Sequence, residues 1–156
     1  MPAKSDDLSE LDRKILRALQ LEANLPLDKI AAKVGASRTA VWNRIKRFEA
    51  SGLITRYQAV LDPESVGLGQ TFFVTIRTNR HDSDWLARFS AAIDALPEIV
   101  EAHRLAGEAD YLLKVQVASA GDYDRFYRRL IDRIELYNVT SHLSMETIKA
   151  PAPLPL

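Results

Sequence analysis

The apolar residues of this chain recur with two different periods, and the change falls near residue 70. Ahead of it the spacing is helical. Leu11, Ile15, Leu16 and Leu19 form one stripe at three- and four-residue steps, predicting a helix over about 9–22. Ser9 with Asp12 three residues on gives it a capped start, and Asn24 and Pro26 end it. Ile30, Ala31 and Val34 supply the inner face of a short helix over about 27–34, which Gly35 closes in a tight turn. A third helix follows at once. Ser37 is its N-cap, Val41, Ile45 and Phe48 repeat at i, i+4, i+7, and Gly52 is its stop. Two helices joined by a short turn containing glycine make a helix-turn-helix.

Leu53 and Ile54 open an extended run, LITRYQAVLD, expected as a short wing strand with Arg56 and Tyr57 outward that then becomes a connector. Asp62-Pro63 and the GLG at 67–69 are turn signals and mark the module boundary. From Gln70 the period becomes two. Phe72, Val74 and Ile76 fall on one face of a strand, with Phe73, Thr75 and Arg77 on the other. Ser83 is expected to cap a helix with the stripe Leu86, Phe89, Ile93 and Leu96, ended by Pro97. Strands follow over about 99–105 and 111–117, joined by AGEAD; the second puts Tyr111, Leu113, Val115 and Val117 on one face. Asp122 is expected to begin a helix whose stripe is Tyr123, Phe126, Tyr127, Leu130, Ile131 and Ile134, before a last strand over about 139–148.

This order, β-α-β-β-α-β, is the split βαβ or ferredoxin-like plan. The fold class is therefore α+β. A winged helix-turn-helix occupies 1–57, a hinge strand and linker 58–69, a βαββαβ sandwich 70–150 and an extended tail 151–156. Both helices must cover the same sheet face. The other face, carrying one of Phe72 and Phe73, is too apolar to be left bare, and a second copy of the chain is the simplest cover.

Charge separates the two modules. The chain is neutral, with 21 basic and 21 acidic residues, yet residues 1–60 hold 11 basic against 7 acidic and the rest 10 against 14. The excess sits on the third helix, where five basic residues and one acid, Glu49, lie between Arg38 and Arg56. With Val41, Ile45 and Phe48 inward, the opposite face carries Arg38, Thr39, Trp42, Asn43 and Lys46, and Arg44 and Arg47 flank the stripe. Arg and Lys donate to guanine edges, Asn pairs with adenine, and flanking arginines take phosphates. Ser37, Arg38, Thr39, Trp42, Asn43, Arg44, Lys46 and Arg47 are thus the candidate contacts to double-stranded DNA. Trp42 lies among them by period, whether it touches a base, the sugar-phosphate or its own neighbours.

Other chemistry finds little support. There is no cysteine, and His81, His103 and His142 lack metal-ligand spacing. No nucleophile elbow or phosphate loop occurs, and the GLG has no third glycine. No catalytic or metal site is expected, and the chain is read as a non-enzyme. No apolar run is long enough to span a membrane, and the polar, acidic opening MPAKSDDLSELDRK does not suit a secretory signal, so a cytoplasmic protein is expected.

The segments LDRKILRALQ, IAAKVGASRTAVWNRIKRFEASGLITRY, LDPESVGLG, LAGEADYLLKV and SMETIK, in this order, resemble the Lrp/AsnC family of leucine-responsive, or feast/famine, transcriptional regulators. TAVWNRIKRFE, LDPESVGLG and DYDRFYRRL are similar to its cysteine-responsive members. The resemblance implies a DNA-binding dimer that assembles to tetramers or octamers and responds to a free amino acid, cysteine or another small one, bound between dimers. It also implies an effector site at the G-x-x-D-Y turn, here Gly107, Glu108, Ala109, Asp110 and Tyr111, with hydroxyls from Thr140 and Ser141. Asp110 suits an ammonium, and N–H groups near Gly107 suit a carboxylate. On the residues alone, Gly107 and Asp110 read first as a plain hairpin turn with Asp110 its acceptor, and it is the resemblance that points to an effector site. The chain departs from the family in reading IELYNVT where a Pro-Gly turn usually precedes the last strand.

Overall fold

The computed structural model describes residues 8–156; the opening residues 1–7 lie outside it. The described residues form two compact units, residues 8–60 together with 149–156, and residues 61–148.

The first unit is built on three helices, α1 (Glu10–Leu21), α2 (Leu27–Val34) and α3 (Arg38–Ala50). Ser9 and Asp12 close a full capping box at the start of α1: Ser9 Oγ accepts from the Asp12 N–H, and Asp12 Oδ2 accepts from the Ser9 N–H at 3.0 Å. Gly35 ends α2 in the left-handed region at φ 70°, a conformation that costs a residue with a Cβ. That turn lets α3 start two residues later, where Ser37 Oγ accepts from the Ala40 N–H at 3.2 Å. The core between the helices holds Ile15, Leu19, Ile30, Val34, Val41 and Phe48, all buried.

The expected wing strand does not form. Residues 53–62 pair with no strand among the described residues. Leu53 and Ile54 pack on the helical core, and the Ile54 N–H donates back to the Phe48 carbonyl at 3.1 Å, so this donor is used at the helix end and not in a ladder.

The second unit runs β1 (Gln70–Arg77), α4 (Ser83–Asp94), β2 (Ile99–Arg104), β3 (Tyr111–Val117), α5 (Ala120–Arg133), β4 (Asn138–Leu143). Its sheet has the order β2-β3-β1-β4, and all three pairings are antiparallel. Phe72, Val74 and Ile76 face inward as their alternation predicts, with Leu113, Val115 and Val117 beside them. Phe126 and Leu130 of α5 and Trp85 and Phe89 of α4 cover that face.

Both helix starts differ from expectation. Asp82, not Ser83, caps α4, its carboxylate accepting from the Trp85 N–H at 2.8 Å. The inward stripe is accordingly Trp85, Phe89, Ala92 and Leu96, while Leu86 points outward. Ser119, not Asp122, caps α5; Asp122 is the acid of its first turn, and its N–H donates to Ser119 Oγ. Within the predicted stripe of α5, Phe126, Leu130 and Ile134 are buried and Ile131 is exposed. β4 stops at Leu143, not near 148. Its partner β1 begins at Gln70, and the Ser144 N–H makes the last bond, to the Thr71 carbonyl. The outer sheet face is mixed. Phe73 lies there at 38% exposure, among Thr75, Leu112 and Lys114.

Candidate nucleic-acid interface and effector site

The face of α3 opposite its apolar stripe is open. Arg38, Thr39, Trp42, Asn43 and Lys46 are all exposed, as is Ser37 at the cap. Asn43 has no side-chain partner among the described residues. Lys46 Nζ lies 4.5 Å from the centre of the Trp42 ring and 2.8 Å from Glu49 Oε2. Tyr57 donates to the other oxygen of Glu49 at 3.0 Å. These two bonds hold the Glu49 carboxyl below its usual range, while burial and the same carboxylate push the Tyr57 phenol up. Trp42 therefore has a neighbour in its own chain: the indole supports the lysine ammonium on the outer face.

The two flanking arginines divide. Arg44 Nη1 and Arg47 Nη2 both donate to Asp12 Oδ1, at 2.8 and 2.9 Å. Burial alone would raise the Asp12 carboxyl; its bonds from Ser9 and the Arg44 guanidinium outweigh that and hold it below the usual range. Arg44 is only 30% exposed and is largely committed to this pair, whereas Arg47 keeps 58% of its side chain in solvent. Sequence reasoning saw Asp12 only as a capping acid. Its second role needed the tertiary approach of α1 and α3, and its one sequence signal is an acid on the buried side of an otherwise apolar stripe.

In the second unit the predicted effector residues do not converge. The Asp110 N–H donates to the Ile76 carbonyl at 2.9 Å, and Asp110 Oδ2 accepts from the Thr78 N–H at 2.7 Å. The turn is thereby fixed to the end of β1. Gly107 and Glu108 are exposed, and Arg77 Nη1 lies 3.9 Å from Glu108 Oε1. A Cβ built on Gly107 meets nothing within 4 Å. Ala109 and Asp110 are half-buried. Tyr111 departs from the expected set. Its ring is buried in the core, 4.5 Å from Phe89 and 5.8 Å from Trp85 between ring centres.

Thr140 and Ser141 also separate, because successive residues of a strand face opposite ways. Ser141 pairs with Val74 and is on the helix side, where its hydroxyl bonds the Tyr123 hydroxyl. Thr140 pairs with Thr75 on the outer face. Since β1 lies between β3 and β4, about 10 Å of sheet separates the two strands. Among the described residues no group of three or more His, Cys, Asp or Glu is placed to hold a metal ion, and no helix is long and apolar enough to cross a membrane.

Known proteins match both units. The Lrp/AsnC ligand binding domain matches residues 71–154, and a winged helix-turn-helix DNA-binding module matches residues 8–55. The chain is 44% identical over 149 residues to the glutamate uptake regulatory protein of Zymomonas mobilis, covering 96% of this chain and 91% of that one. It is 43% identical over 150 residues to the DNA-binding transcriptional activator DecR of Escherichia coli, covering 96% and 99%. Among solved structures, an AsnC family transcriptional regulator from Agrobacterium tumefaciens superposes with a TM-score of 0.91 at 46% identity, over 95% of this chain and 97% of that one. A transcriptional regulator of Neisseria meningitidis, solved as a complex with L-Met, superposes with a TM-score of 0.89 at 30% identity, over 95% and 96%. With likeness of this extent in both its units, the chain belongs to the Lrp/AsnC family of DNA-binding transcription regulators with an amino-acid-binding C-terminal domain.

Proposed function

We propose that α3 is the recognition helix of this regulator. Its exposed face, from Ser37 and Arg38 through Asn43 to Lys46 and Arg47, lies in the major groove of its operator. The observation that carries this reading is the sidedness of α3: its apolar stripe packs into the core, while Arg38, Asn43, Lys46 and Arg47 stay exposed. Asn43 reads a base edge, and Lys46 and Arg47 take phosphates. Arg44 contributes by holding α3 to α1 through Asp12. The chain works as a regulator in the cytoplasm, where the DNA is, and not as an enzyme.

The effector is a free amino acid, cysteine or another small one; L-Met is bound in the Neisseria meningitidis relative and in a feast or famine regulatory protein of Mycobacterium tuberculosis. It binds at the 107–110 turn, with N–H groups there facing its carboxylate and Asp110 its ammonium. Two observations favour this. Among the described residues nothing crowds a Cβ at Gly107, and Asp110 has one carboxylate oxygen without a partner while the other takes Thr78. The distance between this turn and Thr140 means that one chain does not complete the site, so a neighbouring copy supplies the rest. The working form is then a dimer assembled further, to a tetramer or octamer, and the amino acid acts by its differential affinity for the assembly states.

An electrophoretic mobility shift titration on the DNA upstream of its own and the neighbouring gene tests the DNA reading. Salt-dependent, sequence-selective binding is expected; equal retention of random DNA or none at moderate salt defeats it.

A further inference from the structure

The segment Ala150-Pro151-Ala152-Pro153-Leu154-Pro155-Leu156 is held, although it has no secondary structure. Three prolines remove its alternate N–H donors, so it cannot join a ladder and stays extended. One side chain nevertheless engages both backbone groups of one of its residues. The Leu154 N–H donates to Gln20 Oε1 at 2.6 Å, and the Leu154 carbonyl accepts from Gln20 Nε2 at 3.3 Å. Arg17, one turn earlier on α1, donates to the Leu156 oxygen. Leu156 packs against the helical core. Between segment and helix runs a cleft of about 320 Å³, lined by Leu16, Leu19, Leu53, Ile54, Leu154 and Leu156. The exposed residues of α3 are not part of this groove.

We propose that the groove formed by α1 and residues 53–58 is a docking site for an extended Pro-Leu peptide, with residues 151–156 of the same chain as its resident occupant. The chemistry is that of a peptide site. A side-chain amide fixes the register by pairing with a backbone, a guanidinium takes a carbonyl two residues further along the segment, and the apolar helical core receives Leu156. The prolines keep the occupant extended before it docks, which lowers the ordering cost. The hold is modest, since the bonds are solvent-exposed and Leu154 itself is 71% exposed. Occupancy therefore rests on the covalent tether, which supplies a high effective concentration. Because the chain leaves this unit after residue 60 and returns at 149, docking gives the DNA-binding unit a second attachment that can be released without unfolding either unit.

Hydrogen exchange of the Leu154 amide in the full chain tests the proposal. Protection of at least about tenfold over a free APAPLPL peptide is expected, falling to the free-peptide rate in Gln20→Ala with α1 amides still protected; free-peptide rates in the unsubstituted chain overturn it. A fluorescein-labelled APAPLPL peptide should bind a chain shortened to Ala150, as read by anisotropy, and bind the full chain at least tenfold more weakly because the groove is filled. No binding to the shortened chain while it still binds DNA, or equal binding to both, overturns the assignment.

Discussion

Arg44 Nη1 lies 2.8 Å from Asp12 Oδ1, and this contact joins the helix that carries the basic face to the capping acid of the first helix. Asp12 is 2% exposed and also accepts from Ser9 and Arg47, so one buried carboxylate caps the start of α1 and fixes α3. Asp12→Ala should lower stability by about 2–4 kcal/mol, the range for breaking a buried pair and leaving donors unpaired. The sign of the pH dependence follows from the lowered carboxyl. The stabilisation is fully present above the ordinary aspartate value near pH 4 and is lost as pH falls through the lower folded value. Urea unfolding across pH 2–6 checks both points. Asp12→Asn should flatten the acid limb, and an unchanged limb would show that the pair carries no linkage.

The bonds of Lys46 to Glu49 and over Trp42 are made in the free chain, so a phosphate must compete for the ammonium. Lys46→Ala is expected to weaken binding uniformly across operator variants and to reduce the slope of log K against log salt by about one. Asn43→Ala is expected to relax preference at one base pair, by about 1–3 kcal/mol of discrimination, and to leave the salt slope unchanged. Binding isotherms on a set of single-base operator variants at three salt concentrations separate the two. If Asn43→Ala behaves as Lys46→Ala does, Asn43 is not a base reader.

Period and capping made the helices and strands legible. Val41, Ile45 and Phe48 all went inward, as did alternate residues of β1, because burial at a fixed period is a local rule. What the sequence concealed was set by partners distant in the chain. The choice between Asp82 and Ser83 as cap depends on which side of α4 meets the sheet, and Trp85 decides it, its Nε1–H donating to the Glu135 carbonyl at 3.2 Å. The length of β4 depends on where β1 begins, and the wing on whether a partner strand exists. The candidate effector residues show the same limit. Thr140 and Ser141 are adjacent in the chain and share a chemistry, but strand alternation sends them to opposite faces. The extended nature of residues 151–156 was legible in their prolines; their attachment to Gln20 was not.

Ser141 and Tyr123 form a hydroxyl pair on the helix side, with the Tyr123 ring stacked on Phe72 at 3.9 Å. Burial raises the Tyr123 phenol, the Ser141 bond opposes it, and Tyr127 adds to it. A raised phenol contributes stability that is present below the ordinary value near pH 10 and lost as pH rises through the folded value. Tyr123→Phe should therefore cost about 1 kcal/mol at neutral pH and shift alkaline unfolding to higher pH. Ser141→Ala should cost a similar amount at neutral pH, while Thr140→Ala on the outer face should be within about 0.5 kcal/mol of neutral. Circular dichroism between pH 8 and 12 reads the first effect, and urea midpoints the other two.

Asp110 offers a substitution that separates ligand binding from folding. Its Oδ2 accepts the Thr78 N–H, and an asparagine oxygen can accept the same bond, so Asp110→Asn preserves the turn and removes only the charge. A thermal-shift screen over the amino acids should find one that raises the apparent Tm, since saturation at 100 times Kd adds about 2.7 kcal/mol. Asp110→Asn should keep the unliganded Tm within a degree or two and lose most of the shift, because an ammonium no longer meets a carboxylate. Gly107→Ala makes the complementary test. A Cβ there meets nothing within 4 Å among the described residues, so its unliganded stability should be unchanged, while its closer wall should weaken the same ligand. If both variants retain the full shift, the amino acid binds elsewhere in the domain and the 107–110 turn is only the hairpin that closes β2 on β3.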